Sequence, residues 1–423
     1  MKRFFFLFIT IIGSFLFAQT DETIFREFRF DFTTPGARAN ALGKAFVGLS
    51  DEATCAYNNP AGLSILEHPE GTIEYRSQTN NYSYLKSNDQ FELLNGDILQ
   101  PKIENDLLSF ASLSFSRFNA NFSLFYVNQL DYARELPEEQ STWYDTTQGY
   151  NFFYGNQHRV NLKLATYGLS FGRAFSRFSF GAAIGISQLV MNYKYSTRLI
   201  SYDINLDQLV LSETDHHLSQ FSYVVGMMYQ IHPDMKLGMS YKRLPSFHFS
   251  EEVQTLQDPN YHPIPITFKV PDSLAIGLSW LPTDRITILL DFNKIWYHQL
   301  AGDNFTVISG SDYSQDNYIT PDATEKHIGI EYLLPWRTHI FAFRCGAYKN
   351  PDHKTRFSPS SPSIASEIQA FVFNTGSQET TTGYTVGLGY VWKNKLQIDI
   401  ALVYEHNQFD AFITSFLYRF GKK

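Results

Sequence analysis

The sequence has few cysteines, no excess of basic residues and, beyond Phe17, no long apolar run. Its two cysteines, Cys55 and Cys345, are too few for a disulfide framework. Asp and Glu outnumber Lys and Arg by 42 to 34, so no basic stripe is available for nucleic acid. A membrane-spanning helix needs about 20 apolar residues in succession, and the chain after Phe17 provides no such run. These absences exclude a disulfide scaffold, a nucleic-acid-binding protein and a helical membrane protein.

Sequence patterns of catalysis and of cofactor binding are also lacking. No glycine-rich phosphate loop opens a helix, so no nucleotide is expected. Gly168 to Gly172 match the G-x-S-x-G nucleophile pattern, which works only where a strand turns sharply into a helix, whereas here another strand follows. His216 and His217 beside Asp215 do not have the spacing of metal ligands. We therefore predict no enzymatic activity, no cofactor and no metal site.

The first 18 residues have the pattern of a cleavable signal peptide. Lys2 and Arg3 form a short basic region, residues 4–17 form an apolar region, and Ala18 is a small residue suited to cleavage. The apolar region is too short to span a bilayer comfortably. We predict export of the chain and removal of residues 1–18.

Aromatic residues are abundant, and most of the chain after residue 66 alternates between apolar and polar or small residues. The 38 Phe and 26 Tyr suit the aromatic girdles of membrane β-barrels. Alternation with a period of two indicates strands, and in residues 178–187 one face consists of Phe178, Phe180, Ala182, Ile184 and Ile186. Because lipid-facing and lumen-facing residues cancel in an average, the mean hydropathy of -0.24 is compatible with a barrel.

Segments with this alternation predict a series of strands joined by short turns and long polar loops in turn. The predicted strands are 71–85, 107–118, 119–130, 157–173, 177–195, 219–232, 234–249, 266–280, 284–298, 325–335, 337–348, 382–393, 395–405 and 410–420. The predicted long loops are 86–106, 131–156, 196–218, 250–265, 299–324 and 349–381. Outer-membrane barrels have short periplasmic turns and longer extracellular loops. The fold class is therefore predicted to be all-β, a transmembrane antiparallel β-barrel of about 14 strands over residues 67–423.

Residues 19–66 precede the barrel and, from about residue 30, are rich in Ala and Gly without strand alternation. Asp51 and Glu52 after Ser50 resemble the start of a helix. We predict that residues 19–66 form an N-terminal extension and a small helical plug, or hatch, in the barrel lumen.

The plug segment also carries a short motif. Residues 36–46 are followed by Asn59, Pro60 and Ala61. This arrangement resembles the hatch of the FadL family of outer-membrane transporters for long-chain fatty acids and other hydrophobic compounds, whose hatch carries an Asn-Pro-Ala motif. Residues 271–277, in the middle of the chain, resemble the family's central strands.

The resemblance implies a route for substrates. In that family, hydrophobic molecules enter from outside, are held in the lumen and leave through a lateral gap at a kink in the third strand, beside the hatch. The predicted third strand, 119–130, contains no Gly or Pro, so the sequence does not reveal such a kink.

A carboxylate head group would need a cation in the lumen. In the predicted fourth strand, Val160, Leu162 and Leu164 share one face, which places Arg159 and Lys163 on the other. Taking the apolar face as lipid-facing, we expect both cations to point into the lumen. Each would either contact ligand or pair with an acidic side chain.

Arg344 is a third candidate for contact with ligand. Phe341 and Phe343 indicate the lipid face of their strand, so Arg344 is expected to point inward and Cys345 outward. A thiol facing lipid would be out of reach of Cys55 in the plug, although one disulfide is open to an exported protein.

The predicted loop 131–156 supplies a candidate entrance for hydrophobic ligands. It contains Trp143, Tyr144, Phe152 and Phe153. The alternative interpretation is an aromatic belt at the membrane interface.

We therefore expect a protein of the outer membrane of a Gram-negative bacterium, in contact with outer-membrane lipid. Its expected function is uptake of long-chain fatty acids or similar hydrophobic small molecules by passive diffusion through a plugged barrel. The alternative is a secretion-associated barrel that binds an unidentified protein partner without transporting lipid, because the plug motif also occurs in that family. A hydrolytic barrel that uses Ser170 is a third hypothesis.

Overall fold

The computed structural model describes residue 30 and residues 32–81, 84–87, 96–99, 102–145, 150–201, 208–255, 262–300, 317–358, 380–405 and 409–421. Within these ranges, 14 strands form one closed antiparallel barrel, in which the first strand pairs with the second and with the last. They are β1 Glu70–Asn81, β2 Lys102–Arg117, β3 Ala120–Asp145, β4 Tyr150–Phe175, β5 Phe178–Ser201, β6 Gln208–His232, β7 in two parts (Met235–Arg243 and Ser246–Thr255), β8 in two parts (His262–Lys269 and Ser273–Thr283), β9 Ile286–Ile295, β10 Ala323–Trp336, β11 His339–Asn350, β12 Thr381–Trp392, β13 Leu396–Glu405 and β14 Phe409–Arg419. Each predicted strand corresponds to one of these strands, so the predicted fold class is confirmed.

Tight turns join consecutive strands at one end of the barrel, so that neighbours in sequence are neighbours in the wall. Phe118 and Asn119, between β2 and β3, have φ angles of 55° and 57°, and Lys393 and Asn394, between β12 and β13, have 51° and 55°. Positive φ at both central residues defines the type I′ turn, whose twist matches that of paired strands. This end, called the turn end below, is where outer-membrane barrels face the periplasm.

The predicted loop boundaries at the opposite, outer end are wrong for three connections. Strand pairing continues through most of 131–156, 196–218 and 250–265, and only the tips 146–149, 202–207 and 256–261 lie outside the described residues. These segments are rich in polar residues, and for that reason the sequence predicted loops there. Backbone hydrogen bonding between neighbouring strands does not depend on which side chains they carry, so β3 to β8 extend beyond their apolar portions.

An apolar band surrounds the part of the barrel nearer the turn end, called its lower part below. Outward-facing side chains such as Phe180, Ile184 and Leu402 are 46%, 63% and 52% exposed. Such a band is typical of a surface that contacts lipid. Separately, none of the helices in the described residues is long and apolar enough to cross a membrane.

The plug lies inside the lower half of the barrel. It contains α1 Ala37–Ala41, α2 Cys55–Asn58 and a 3-10 helix, Pro60–Ile65. The side chain of Asn59 accepts a hydrogen bond from the Ala61 N–H, which caps the 3-10 helix. Residues 1–29, including the predicted signal peptide, lie outside the described residues.

The two cysteines lie on opposite sides of the barrel wall. Cys55 is buried in the plug, whereas Cys345 is exposed on the outer surface, as its strand position predicts. Both are free thiols.

Candidate substrate passage

The lumen between the plug and the outer end is lined by apolar side chains, called the lumen cluster below. Its buried members are Phe30, Leu130, Val160, Leu162, Leu164, Leu189, Met191, Leu244, Phe247, Phe268, Val270, Ile295, Tyr297, Leu300, Tyr318, Ala323 and Phe357. Phe32, Tyr132, Leu218 and Phe249 pack against them and are partly buried. An interior of this composition favours apolar ligands over hydrated ones.

The prediction that Arg159 and Lys163 point into the lumen is wrong. Both side chains are exposed on the outer surface, and Lys163 lies 3.4 Å from Asp131 there. The apolar residues on the other face of β4, Leu162 and Leu164, are buried in the lumen cluster. The sequence prediction assumed that the apolar face contacts lipid, but this part of β4 has an apolar lumen inside and a polar surface outside.

Along β4 the apolar residues change from odd-numbered to even-numbered positions, and this change of phase marks where the reversal occurs. Nearer the turn end, Tyr167, Leu169 and Phe171 are the exposed apolar residues, and they have odd numbers. Nearer the outer end, Leu162 and Leu164 are the apolar residues, and they have even numbers and face inward. The strand keeps its period of two while its environment changes from lipid outside to an apolar lumen inside.

The predicted aromatic entrance has a different backbone from the one expected. Trp143 and Tyr144 belong to β3 and pair with Phe152 and Asn151 of β4, and Phe153 pairs with Thr142 of β3. The side chains of Trp143, Tyr144, Phe152 and Phe153 lie outside the described residues. Their contact with ligand stays a prediction.

A polar cavity of about 70 Å³ lies between the plug and strands β7 to β10, directly below the lumen cluster. Phe32 and Leu244 line the cavity and also belong to, or pack against, the lumen cluster. Its lysine side chains are Lys44 of the plug and Lys242 of β7, and His327 of β10 also lines it. The cavity therefore joins an apolar space to a site of positive charge.

The ammonium group of Lys242 faces an aromatic ring. Its nitrogen lies 4.0 Å from the centroid of the Tyr57 ring, and Lys44 lies 4.1 Å from that of Tyr348. The contact with Tyr57 holds one side of the Lys242 ammonium group, and its N–H donors point away from the ring.

The acidic residues of the cavity already have partners. Asp291 accepts hydrogen bonds from the backbone N–H groups of Phe46 (2.6 Å) and Val47 (2.7 Å) in the plug. Glu325 accepts hydrogen bonds from the amide of Asn293 (3.0 Å) and interacts with His327 Nε2 (3.2 Å). These carboxylates hold the plug and the wall in place, which leaves Lys242 as the cation best placed to meet an anion in the cavity.

Sequence reasoning missed Lys242, although the necessary pattern was present. Gly238, Ser240 and Lys242 alternate with Leu237, Met239 and Tyr241 in the predicted strand 234–249. The structure places the first set inside, with Gly238 against the plug and Ser240 and Lys242 at the cavity.

Arg344 points into the lumen as predicted, but at the level of the plug. Its guanidinium donates to Glu331 (2.6 Å) and Asp399 (2.6 Å), and Arg38 of the plug pairs with Glu331 (2.8 Å) and Asp51 (2.6 Å). Arg344 is buried between these carboxylates, below the cavity and the lumen cluster. Its geometry is that of a structural charge that fixes the plug to β10, β11 and β13.

A further carboxyl group of the plug joins this network. Glu52 accepts hydrogen bonds from Thr54 (3.1 Å) and Gln397 (3.2 Å) and lies 3.7 Å from Arg38. Burial raises the pKa of Glu52 above its ordinary value, against the opposing attraction of Arg38. Glu52 is therefore easier to protonate than an exposed glutamate.

The motif Asn59, Pro60 and Ala61 lies flat against the backbone of the barrel wall. Gly172, Gly181 and Gly226 are paired side by side across β4, β5 and β6. A Cβ atom at Gly181 would lie 2.2 Å from the carbonyl carbon of Pro60, and one at Gly226 would lie 2.1 Å from the Asn59 side-chain oxygen. The motif can reach the wall only because these three positions carry no side chain.

The amide of Asn59 also ties two parts of the molecule together. Its nitrogen donates to the carbonyl oxygens of Val47 in the plug (3.0 Å) and of Met227 in β6 (3.4 Å). The predicted motif is therefore a docking contact between plug and wall.

The third strand leaves its neighbour in the wall. The ladder between β2 and β3 ends at Phe110 and Val127, and residues 102–109 and 128–145, all described, have no ladder partners across this boundary. At that point β3 carries a bulge between Asn128 and Leu130. A bulge bends its strand, so the kink exists without Gly or Pro.

The plug and the segment that precedes α1 (Phe30 and residues 32–36, called the N-terminal segment below) cover this opening from inside. The Thr33 N–H donates to the carbonyl oxygen of Gln129 (3.0 Å), and the Gln129 amide donates to the Tyr57 hydroxyl (2.5 Å). The same Tyr57 ring supports Lys242. One side chain thus contacts both the polar cavity and the kink.

Solved structures share this architecture over nearly the whole chain. A Pseudomonas aeruginosa FadL homologue superposes with a TM-score of 0.64 at 13% identity, and the match covers 93% of this chain and 100% of the other. This chain has the FadL-type fold. The Ralstonia pickettii toluene transporter TbuX matches with a TM-score of 0.59 at 13% identity, and the P. putida toluene transporter TodX with 0.56 at 12%, each over 93% of this chain and 100% of the other.

Comparison of the sequence itself gives no further relatives. No protein-family model matches the chain, and no curated protein matches it. Two of the three structures above are toluene transporters.

The residues that suggested other chemistry are arranged unlike an active site in this FadL-type barrel. Ser170 is buried in the middle of β4 and pairs with Ala183 of the next strand, so no turn into a helix exposes its hydroxyl. His217 and Asp215 are both exposed and 3.5 Å apart. Within the described residues, no group of three or more His, Cys, Asp or Glu side chains is placed to hold a metal ion.

Proposed function

We propose that this chain is an outer-membrane channel for the uptake of long-chain fatty acids or similar hydrophobic molecules by passive diffusion. The proposal rests on one observation above all. The lumen cluster leads to a cavity that contains Lys242, and both lie beside an opening in the wall at β3. We infer a route from the outer end, through the lumen cluster, to a head-group site at the cavity and out between β2 and β3.

The lumen cluster suits an acyl chain because its contacts are apolar and non-directional. Burial of one methylene is worth about 0.8 kcal/mol, so complete burial of a 16-carbon tail would stabilise the complex by roughly 12 kcal/mol. A single site with that affinity would release its ligand slowly. Side chains that fill much of the lumen, such as Phe247 and Phe268, instead allow successive partial contacts, which favours flux.

The polar cavity suits a carboxylate. Lys242 and Lys44 supply positive charge, and the nearby acidic groups Asp291 and Glu325 are engaged with the plug and with Asn293 and His327. A cation in a largely apolar lumen is expensive to bury without a function or a partner. An uncharged aromatic hydrocarbon, the substrate named for TbuX and TodX, would not need it.

The opening at β3 suits release into the outer membrane. The N-terminal segment covers it, and there the Thr33 N–H donates to the carbonyl oxygen of Gln129. Hydrogen bonds from Tyr297 to Phe30 and from Arg76 to Thr34, together with the apolar contacts of Phe30, hold this segment, whereas buried ion pairs hold the plug. Hydrogen bonds to backbone carbonyl oxygens and apolar contacts are exchanged more easily than a network of buried charges. We therefore assign lateral exit rather than passage through the plug.

Localisation and processing complete the proposal. We propose that residues 1–18 are a signal peptide, that residues 19–66 form the extension and plug, and that residues 67–423 form a barrel in the outer membrane of a Gram-negative bacterium. The exposed apolar band supports the membrane location.

The proposal is tested by binding of a labelled 16-carbon fatty acid to the purified barrel in detergent. Lys242→Met removes the charge and keeps the length of the side chain, and we expect affinity for the fatty acid to fall about tenfold, the effect of losing one charge-assisted hydrogen bond. Affinity for its methyl ester should be unchanged. Lys326→Met, which removes an exposed lysine of β10, is the matched control.

Each outcome assigns the substrate class. A loss confined to the free acid in Lys242→Met supports a fatty-acid head-group site. Saturable binding of toluene, together with an affinity for the fatty acid that Lys242→Met does not change, would indicate aromatic hydrocarbons as the substrate class. Absence of saturable binding for the acid, the ester and toluene would refute the proposal and favour the secretion-associated, protein-binding barrel.

A further inference from the structure

The wall of the barrel has a second interruption, between β6 and the outer part of β7. On the turn-end side of the interruption, Tyr223 of β6 pairs with Arg243, and on the outer side Ser212 pairs with Val253. Between these pairs, residues 213–222 and 244–252 are all described and have no ladder partners across the boundary. This unpaired region is called the slit below. Both strands remain paired on their other sides, with β5 and with β8.

The interruption is built by specific residues of β7 and β8. Pro245 has no N–H to donate to a ladder, and it separates the two parts of β7. Asp272, in the corresponding break of β8, accepts a hydrogen bond from the Leu244 N–H (2.8 Å) and one from the Lys269 ammonium (2.7 Å). The same ammonium donates to the Leu244 carbonyl oxygen (2.7 Å). The N–H and the carbonyl oxygen of Leu244, which the break frees from the ladder, are thus bound by buried charged side chains.

One side chain bridges the slit between the two strands. His216 of β6 donates from Nε2 to the carbonyl oxygen of Ser250 in β7 (2.9 Å), and its ring lies 4.8 Å from that of Phe249. Behind it, Leu218 and Phe249 pack against the lumen cluster. At the slit, the side chains that bridge β6 and β7 are thus in direct reach of the lumen cluster.

The position of the slit can be deduced from the residues on either side. Below it, Phe221 and Tyr223 are exposed apolar residues, and Phe221 is 80% exposed. Along the slit, the outward-facing residues are Asp215, His217 and Ser219. The exposed apolar residues of β6 end at Phe221, and the outward-facing residues beyond it are polar. The slit accordingly faces the polar surface of the outer leaflet, with Phe221 at the boundary.

We propose that this slit is a lateral entrance, latched by His216, through which hydrophobic molecules with a polar head pass from the outer-leaflet surface into the lumen cluster. This inference rests on the proposed uptake function and adds the point at which substrate enters. The entrance differs from the opening at β3, because the N-terminal segment covers that opening through Thr33 and Gln129, whereas the slit is bridged by His216.

The entrance is tested by closing it reversibly. His216→Cys and Ser250→Cys are introduced together with Cys345→Ser, which removes the exposed native thiol, and the pair is joined by a cleavable bifunctional thiol reagent in intact cells that lack their own fatty-acid transporter. Uptake of radiolabelled palmitate is measured before cross-linking, after it and after cleavage. Lys326→Cys with Lys349→Cys is the matched control, because these exposed residues are already paired partners of β10 and β11, away from the slit.

We expect cross-linking at the slit to lower uptake several-fold and cleavage to restore it, while the control pair changes nothing. His216→Ala alone should raise the rate of uptake by up to about fivefold, the effect of removing one ordinary hydrogen bond from the closed state. Uptake that is unchanged by cross-linking, in cells where the unmodified barrel transports palmitate, would overturn the entrance and leave the proposed function standing. An unmodified barrel without uptake would overturn both.

Discussion

The two halves of the lumen hold the same barrel together in different ways. At the level of the plug, Arg38, Glu331 and Arg344 form directional bonds between buried charges, and the plug backbone lies on wall glycines. Above the plug, the lumen cluster makes apolar contacts that have no fixed direction. Directional contacts between buried charges are costly to break, whereas a ligand can replace apolar contacts with similar ones. The plug region, which seals the barrel, and the lumen cluster, which forms the proposed passage for ligand, are therefore separated along the barrel axis.

Individual strands take part in both halves. In β4, Gly172 lies under Pro60 of the plug, whereas Leu162 and Leu164 belong to the lumen cluster. Substitutions a few residues apart on one strand should then have distinct consequences. Those near the turn end should affect stability and the seal, and those near the outer end should affect binding.

The largest effect is expected for Glu331→Ala. The substitution leaves Arg38 and Arg344 buried without the carboxylate that both contact, and removal of one partner from such a network costs about 3–5 kcal/mol. The measurement is the free energy of unfolding in urea, in one detergent for all variants. Glu104→Ala, which removes an exposed carboxylate of β2, should change it by less than about 1 kcal/mol. Equal effects for the two variants would refute the proposed rigidity of the plug region.

A smaller effect is expected for Gly181→Val. The new side chain would begin 2.2 Å from the Pro60 carbonyl carbon, so the plug must shift, and overpacking of this kind costs about 1–3 kcal/mol. We also expect an increased leak of small ions in planar-bilayer conductance recordings. Ala182→Val, the next residue on β5, adds the same methyl groups to the exposed face and should leave conductance unchanged. A silent Gly181→Val variant would contradict the close docking of the motif.

The smallest effect concerns the upper half of the lumen. Leu162→Asn places an amide in the lumen cluster, and we expect affinity for a 16-carbon fatty acid to fall about tenfold, part of the apolar contact of one leucine. Equilibrium binding in detergent measures it. Arg159→Asn, on the outer face of the same strand, should bind as tightly as the unaltered chain. A loss in Arg159→Asn without one in Leu162→Asn would reverse the assigned faces of β4.

Much of the fold follows from local sequence patterns. Strand alternation is local, so the central part of each strand and the short connection between predicted strands 382–393 and 395–405 were predicted correctly. The lengths of β3 to β8 were not, because polar residues on both faces resemble a loop even when the backbone remains paired. The inward face of Arg344 was predicted correctly for the same local reason.

The site was harder to predict because it depends on what surrounds each face. Arg159 and Lys163 were assigned to the lumen on the assumption of lipid outside, and that assumption holds only up to the change of phase near Tyr167. Lys242 becomes notable only through its approach to Tyr57, 185 residues earlier in the chain. The kink in β3 arises from a bulge, and a bulge at Asn128 leaves no distinctive mark in the sequence.

The most direct test of the separation of seal and passage is photo-cross-linking with a long-chain fatty acid that carries a photoreactive group near its methyl end. The reagent is bound to the purified barrel in detergent, irradiated with and without excess unlabelled fatty acid, and the modified residues are identified by mass spectrometry. The account predicts competable modification of the lumen cluster, around Leu162, Leu189 and Phe247. Modification confined to outward-facing residues such as Phe180 and Leu402, and unaffected by competitor, would contradict it.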